Sequence, residues 1–242
     1  MGRDDNIFMA KICEQTERFE DMVEYMKMVA TEGNDGLSIE ERNLLSVAYK
    51  NAIGPHRTAW RALTSIETKE EAKASKQLPL LREYKSKIEG ELNKFCRDIL
   101  KVLDDALIPK SEGDNESKVF YLKMKGDYHR YMAEYATGAD HDAASKDALS
   151  AYTDATQIAS ENLKTTHPIR LGLALNSSVF HYEVMNDPTK ACQLAKSAFD
   201  EAIADIEQLD DDVYKDATTI MQLIRDNLTL WTSELENDEA DH

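Results

Sequence analysis

The amino-acid sequence predicts an all-α protein, and three observations carry that expectation. Nearly every segment longer than ten residues places its apolar residues at helical spacing. Runs of alternating β-branched residues, the mark of strands, are missing. The breaks between segments hold cap residues and prolines. Nine helices result, spanning about 3–16, 19–32, 39–69, 76–107, 116–137, 142–163, 168–186, 190–208 and 213–235.

The chain opens with a charged stretch, MGRDDNIFMAKICEQTERFEDM, that holds the first helix and the start of the second and in which no long apolar run develops. The third opens after the turn Gly33-Asn34-Asp35-Gly36, where Ser38-Ile39-Glu40-Glu41 has the form of a capping box. Pro109 and the polar stretch Lys110 to Ser117 close the fourth and lead into the fifth. The sixth and eighth share the pattern A-x-x-A-[YF]-x-x-A, at Ala148 to Ala155 and at Ala195 to Ala202, in which small residues around one aromatic let helices approach closely. Spacing of about one helical hairpin between the copies implies stacked antiparallel hairpins like tetratricopeptide repeats. The seventh and eighth follow Thr166-His167-Pro168 and Asn186-Asp187-Pro188, each a cap candidate before proline. Asp210 to Asp212 introduce the ninth. Residues 1–235 read as a single helical array, with 1–107 and 116–235 as its two parts, and 236–242 as an acidic, disordered tail.

Composition narrows the function. The 242 residues carry 46 Asp+Glu against 29 Lys+Arg, a formal charge of -17, which opposes nucleic acid and anionic membrane surfaces. No apolar stretch is long enough to span a bilayer, so membrane insertion is not expected. Neither a secretory leader nor myristoylation is expected, since Asn6 stands where the latter needs Ser or Thr. Cys13, Cys96 and Cys192 are far apart and lack metal-ligand spacing, which fits packing roles in a reducing compartment, the cytoplasm and also the nucleus.

Enzymatic templates find nothing. There is no Gly-rich phosphate loop, no GxSxG elbow and no HExxH, and the six histidines have no ligand spacing. Asp140-His141-Asp142 resembles a metal site but is explained by capping and solvation. No catalytic residue, metal or cofactor is expected.

Binding templates find more. Lys50 and Arg57 lie seven residues apart on the third helix, with Arg61 on the same face; Lys123 and Arg130 lie seven apart on the fifth, and Tyr131 follows. Asp127 between two cations can hold an arginine in one rotamer, while arginine and a tyrosine hydroxyl direct donors at phosphate oxygens. The plain alternative is two solvated basic faces. Leu175, Asn176, Val179 and Glu183 share a narrow arc of the seventh helix, where an amide can hold a peptide backbone. On the ninth, Ala217, Met221, Ile224 and Leu228 form one apolar stripe, and Ile220, Leu223, Asn227, Leu230 and Trp231 form a second. One stripe suffices for a core, so the second fits a groove wall; a centrally buried helix is the alternative.

RNLLSVAYKN (42–51), SKVFYLKMKGDY (117–128), THPIRLGLALN (166–176) and MQLIRDNLTLWTSE (221–234), in this order, resemble the 14-3-3 proteins, adaptors that bind phosphoserine and phosphothreonine peptides. The resemblance covers essentially the whole chain. It implies a cup of nine antiparallel helices and an amphipathic groove in each protomer of a homodimer or heterodimer, with no catalysis and with phosphorylated client proteins as partners. By this resemblance Lys50, Arg57, Arg130 and Tyr131 contact phosphate with Lys123 nearby, and Asn176 and Asn227 hold the peptide backbone. Leu175, Val179, Ile220, Leu223, Leu230 and Trp231 form the apolar wall, and Glu183 is a polar groove residue. At the dimer interface Ile12, Thr16, Ala59, Leu63, Ile66 and Tyr84 supply packing, with Arg18–Glu91 and Asp21–Lys87 as cross-subunit ion pairs. A helical-repeat scaffold that binds acidic peptides without phosphate remains the competing reading.

Several positions depart from the family pattern. Pro55-His56 replaces a small residue and an arginine between Lys50 and Arg57, and a kink there would re-aim Lys50. His129 and Ser177 stand in place of aromatics, Ala59 in place of a phosphorylatable serine, and Gly90 lowers helix propensity beside Glu91.

Overall fold

A computed structural model of the protein describes residues 2–33, 35–206, 209 and 211–240. Among them there are helices and turns but no strand. Two compact units divide the chain, Met1–Ser111 and Glu112–His242.

The first unit holds α1 (Arg3–Gln15), α2 (Phe19–Thr31), α3 (Ile39–Ala72) and α4 (Leu78–Val102). Helix α1 stops where Glu17 enters the left-handed region at φ 56° and Arg18 N–H donates back to the Cys13 carbonyl at 2.9 Å. The expected capping box opens α3: Glu41 N–H donates to Ser38 Oγ at 3.2 Å and Ser38 N–H to Glu41 at 2.8 Å. Arg3 donates to both oxygens of the same Glu41, at 3.0 and 2.8 Å, tying α1 to α3. The core uses Met22, Met26, Val29, Leu45, Tyr49, Ile53, Leu92, Cys96 and Ile99. One polar link threads it: Asp98 of α4 accepts from the Tyr49 hydroxyl at 2.7 Å and from Lys27 of α2 at 2.5 Å.

Helix α3 runs unbroken through Pro55. The fourth helix does not end near 107 as expected; a π-helical turn, Leu103–Leu107, leads into a further helical segment, Ile108–Lys110. Ile108 N–H donates to the Leu103 carbonyl, five residues back, so the hydrogen-bond register is already reset where Pro109 lacks a donor.

The second unit holds α5 (Asn115–Tyr135), α6 (Gly138–Asn162), α7 (Pro168–Glu183), α8 (Pro188–Asp205) and α9 (Asp211–Ala240). The break between α7 and α8 is set by the chemistry of three consecutive residues. Asn186 adopts φ 54°, Asp187 accepts from Lys190 N–H at 2.9 Å, and Pro188 takes the first helical position. His167 caps α7 through Nδ1, which accepts from Ile169 N–H at 3.2 Å. Asn34 of the expected turn and Asp210 of the expected cap lie outside the described residues. In the A-x-x-A-[YF]-x-x-A segments Ala148, Ala151, Ala155, Ala195 and Ala202 are buried, while Ala198 is half-buried. Helix α9 reaches Ala240, past residue 236 where the acidic tail was expected to begin. Glu and Ala are strong helix formers and no Gly or Pro intervenes, so the absence of an apolar stripe did not end the helix. Residues 241–242 lie outside the described residues. Among the described residues no helix is long and apolar enough to cross a membrane.

Candidate functional site

About two and a half turns of α5 carry Lys123, Asp127, Arg130 and Tyr131 along a face that meets α6 and α7. Helical spacing sets Lys123 and Arg130 on either side of Asp127, and the structure turns that spacing into bonds. Lys123 Nζ donates to Asp127 at 2.9 Å, and Arg130 Nη2 lies 3.4 Å from the other carboxylate oxygen. The lysine stem lies along α7, where its Cε would be 3.5 Å from a Cβ placed on Gly172. Arg130 also stacks over the Tyr131 ring, 4.8 Å from its centroid.

Two further helices close on the same carboxylate. From α7, Asn176 Nδ2 donates to both Asp127 oxygens, at 2.9 and 3.0 Å. From α6, the Tyr152 hydroxyl donates to Asp127 Oδ1 at 2.5 Å and accepts from Arg130 Nε at 3.1 Å. Asn176 therefore faces its amide nitrogen inward and leaves its carbonyl oxygen as an acceptor.

Electrostatics follow from this packing. Asp127 and Arg130 are 6% and 7% exposed, so neither charge is stabilised mainly by water. Burial pushes the Asp127 carboxyl up, but the Lys123 ammonium, the Arg130 guanidinium and the Tyr152 hydroxyl outweigh it and hold the carboxyl below its usual range. Burial and the adjacent carboxylate push the Tyr152 phenol well above its ordinary value. Burial works against the Arg130 charge, yet the Tyr152 oxygen and Asp127 keep it firmly protonated. Two cations share one carboxylate, which leaves an excess of one positive charge in a chain of net charge -17.

Tyr152 was not among the residues expected at this site. Its only sequence signal was the small-residue motif around it, which reads as packing. Gly126 was missed as well: a Cβ there would stand 2.7 Å from Cδ1 and Cε1 of the Tyr152 ring.

The groove candidates of the second unit lie on α7 and α9, which pack together. Leu175, Val179 and Ile220 are half-buried against the core, Asn227 is half-buried, and Glu183, Leu223 and Leu230 are exposed. Trp231 departs from this set: it is 4% exposed and belongs to the core with Ala217, Met221 and Ile224. The physical reason is helical phase, since fourteen residues from Ala217 is nearly four full turns. Its ring stacks on Tyr182 at 4.8 Å and 12°. Tyr182 in turn hydrogen-bonds Glu234.

In the first unit, Lys50 and Arg61 on α3 are exposed and Arg57 is half-buried. His56, between them, turns to α4, with Nδ1 3.2 Å from Glu91 and its ring 5.3 Å from Phe95. Of the dimer candidates, Ile12, Thr16, Arg18, Ile66, Tyr84 and Lys87 are exposed; Asp21, Ala59, Leu63 and Glu91 are half-buried. Phe8 and Leu80, exposed at 63% and 67%, were not anticipated. Arg18 pairs with Asp21 at 2.5 Å within the chain. The cysteines are free, with Cys13 and Cys96 buried. No cluster of three or more potential metal ligands occurs among the described residues.

Comparison with known proteins adds the following. A family model described as 14-3-3 protein matches residues 9–232. The chain is 57% identical over 243 residues to "14-3-3 protein 2" of Solanum lycopersicum, covering 100% of this chain and 95% of the relative. It is 58% identical over 242 residues to "14-3-3-like protein C" of Nicotiana tabacum, covering 99% and 93%. To a "14-3-3-like protein" of Pisum sativum it is 56% identical over 241 residues, covering 99% and 92%.

Proposed function

This chain belongs to the 14-3-3 family, and from that premise we propose that it binds phosphoserine and phosphothreonine segments of client proteins and acts on those clients as a dimer. Family membership supports an adaptor or scaffold role. One observation carries the phosphate reading: the Lys123–Asp127–Arg130 cluster has two cations to one carboxylate, held rigidly by four hydrogen-bond donors on Asp127. Rigid, partly desolvated donors suit a small dianion better than a diffuse polyanion. Tyr131 stands beside Arg130 as a further ligand. The resemblance in sequence adds Lys50 and Arg57 as proposed phosphate ligands.

Hydrogen bonds to charged groups contribute about 1.5 to 3 kcal/mol each, so the phosphate can supply several kcal/mol. Submicromolar affinity needs more than about 8 kcal/mol net after the costs of association. The remainder falls to Leu175, Val179, Ile220, Leu223 and Leu230 as an apolar wall, and to Asn176 and Asn227 as backbone partners. Paired grooves raise avidity toward doubly phosphorylated clients by about 10² to 10⁴ where the spacing permits.

Fluorescence polarisation with one peptide in phosphoserine and serine forms tests the reading. Tight binding of the phosphorylated form alone is expected, with most of it lost in Arg130→Ala and Arg57→Ala. Equal affinity for both forms would instead establish a phosphate-independent scaffold. The proposed dimer rests on the apolar face of Ile12, Leu63, Ile66 and Tyr84; monomer alone in light scattering at micromolar concentration would sink it.

A further inference from the structure

We propose that Tyr152 is the positioning residue that aims Arg130 at the phosphate, an inference that rests on the phosphopeptide reading and goes beyond it. The direction of the hydrogen bonds carries it. A phenol has one proton to give, and Tyr152 gives it to Asp127 Oδ1 at 2.5 Å. Its lone pairs therefore face Arg130, whose Nε–H donates to it at 3.1 Å. The direct contact from Arg130 Nη2 to Asp127 is longer, 3.4 Å. Most of the tie between guanidinium and carboxylate thus runs through the hydroxyl rather than directly.

That arrangement fixes where the remaining edge of the guanidinium is held. Arginine carries five N–H donors in a fixed fork. Tyr152 takes the Nε–H, Asp127 takes one at Nη2, and no described residue takes those of Nη1. The donors that remain lie on the two terminal nitrogens and match a phosphate in a two-pronged contact. Without the hydroxyl, Nε and Nη2 close directly on Asp127 as a bidentate pair, which frees the same donors but draws them toward the carboxylate and away from the position the hydroxyl holds.

The ring itself is placed by two neighbours. Gly126 leaves the α5 backbone bare where the ring lies, since any Cβ there would sit 2.7 to 2.9 Å from three ring atoms. Phe180 of α7 packs on it with centroids 5.5 Å apart. A phenylalanine at 152 keeps both contacts and loses only the hydroxyl.

The test is Tyr152→Phe in the full chain, with the matched phosphoserine and serine peptides as probes. Phosphopeptide affinity is expected to fall about tenfold or more, the equivalent of one charge-assisted hydrogen bond. Affinity for the unphosphorylated peptide is expected to stay within about twofold. A role in packing alone would move both affinities together or neither, and either result overturns the proposal. The double variant Arg130→Ala/Tyr152→Phe adds a second arm: if Tyr152 acts through Arg130, the double variant binds no worse than Arg130→Ala, and additive losses overturn the idea. In the unsubstituted chain, the Arg130 Nε–H resonance is expected to exchange slowly with solvent; fast exchange would count against the bond. If the unsubstituted chain itself fails to prefer the phosphopeptide, both readings fall together. If it prefers that peptide and Tyr152→Phe matches it, only this one does.

Discussion

Asn176 of α7 donates its amide to both carboxylate oxygens of Asp127 on α5, at 2.9 and 3.0 Å, so a side chain of the expected peptide groove is fixed by the acid of the expected phosphate site. The residues of the two expected subsites in the second unit are therefore one bonded network. A substitution at its centre is felt at both.

Asp127→Asn should accordingly destabilise the fold by about 3 kcal/mol at neutral pH, because it leaves Lys123 and the buried Arg130 without a counter-charge. The pH dependence has a definite sign. The folded carboxyl titrates below its usual value, since neighbouring positive charge outweighs the burial that would raise it. Its stabilising contribution is thus complete above the unfolded aspartate value of about 4 and is lost only as pH falls through the lower folded value. Urea midpoints of the two proteins should stay a constant distance apart from pH 7 to about 4 and converge below. Convergence between pH 7 and 5 would show that burial wins instead.

Two helical glycines should respond oppositely to alanine. At Gly90 nothing lies within 4 Å of a new Cβ, so Gly90→Ala should raise stability by about 0.5 to 1 kcal/mol through helix propensity. At Gly126 the same gain meets the Tyr152 ring at 2.7 Å, and overpacking of about 1 to 3 kcal/mol should leave the variant less stable. Thermal unfolding of both variants checks the pair. A stabilised Gly126→Ala would mean that the ring moves aside freely.

The parts of this architecture that were legible in the sequence are those decided within one turn. Ser38 with Glu41 and Asp187 with Pro188 announce helix starts because donor and acceptor are three residues apart. Lys123, Asp127 and Arg130 were equally legible, since a single helix brings them together. Tyr152 was not: its hydroxyl meets Asp127 from 25 residues away, and only the docking of α6 on α5 determines which ring atom points where. The burial of Trp231 was not legible for a related reason. Its apolar neighbours Leu230 and Ile220 share its chemistry, and the choice of which is buried belongs to the way α9 settles on α7 and α8.

That choice yields a last contrast, between adjacent residues. Trp231 is 4% exposed and stacked on Tyr182, so Trp231→Ala should remove about 3 to 5 kcal/mol of stability by opening a cavity beside Tyr182. Leu230 is 55% exposed, and Leu230→Ala should leave stability within about 0.5 kcal/mol. On the proposed function, the same Leu230 substitution weakens phosphopeptide binding, because an apolar side chain that the fold does not use is left for the ligand. Chemical denaturation and polarisation on both variants separate the two roles. A Trp231→Ala protein of ordinary stability and poor affinity would return that ring to the groove wall.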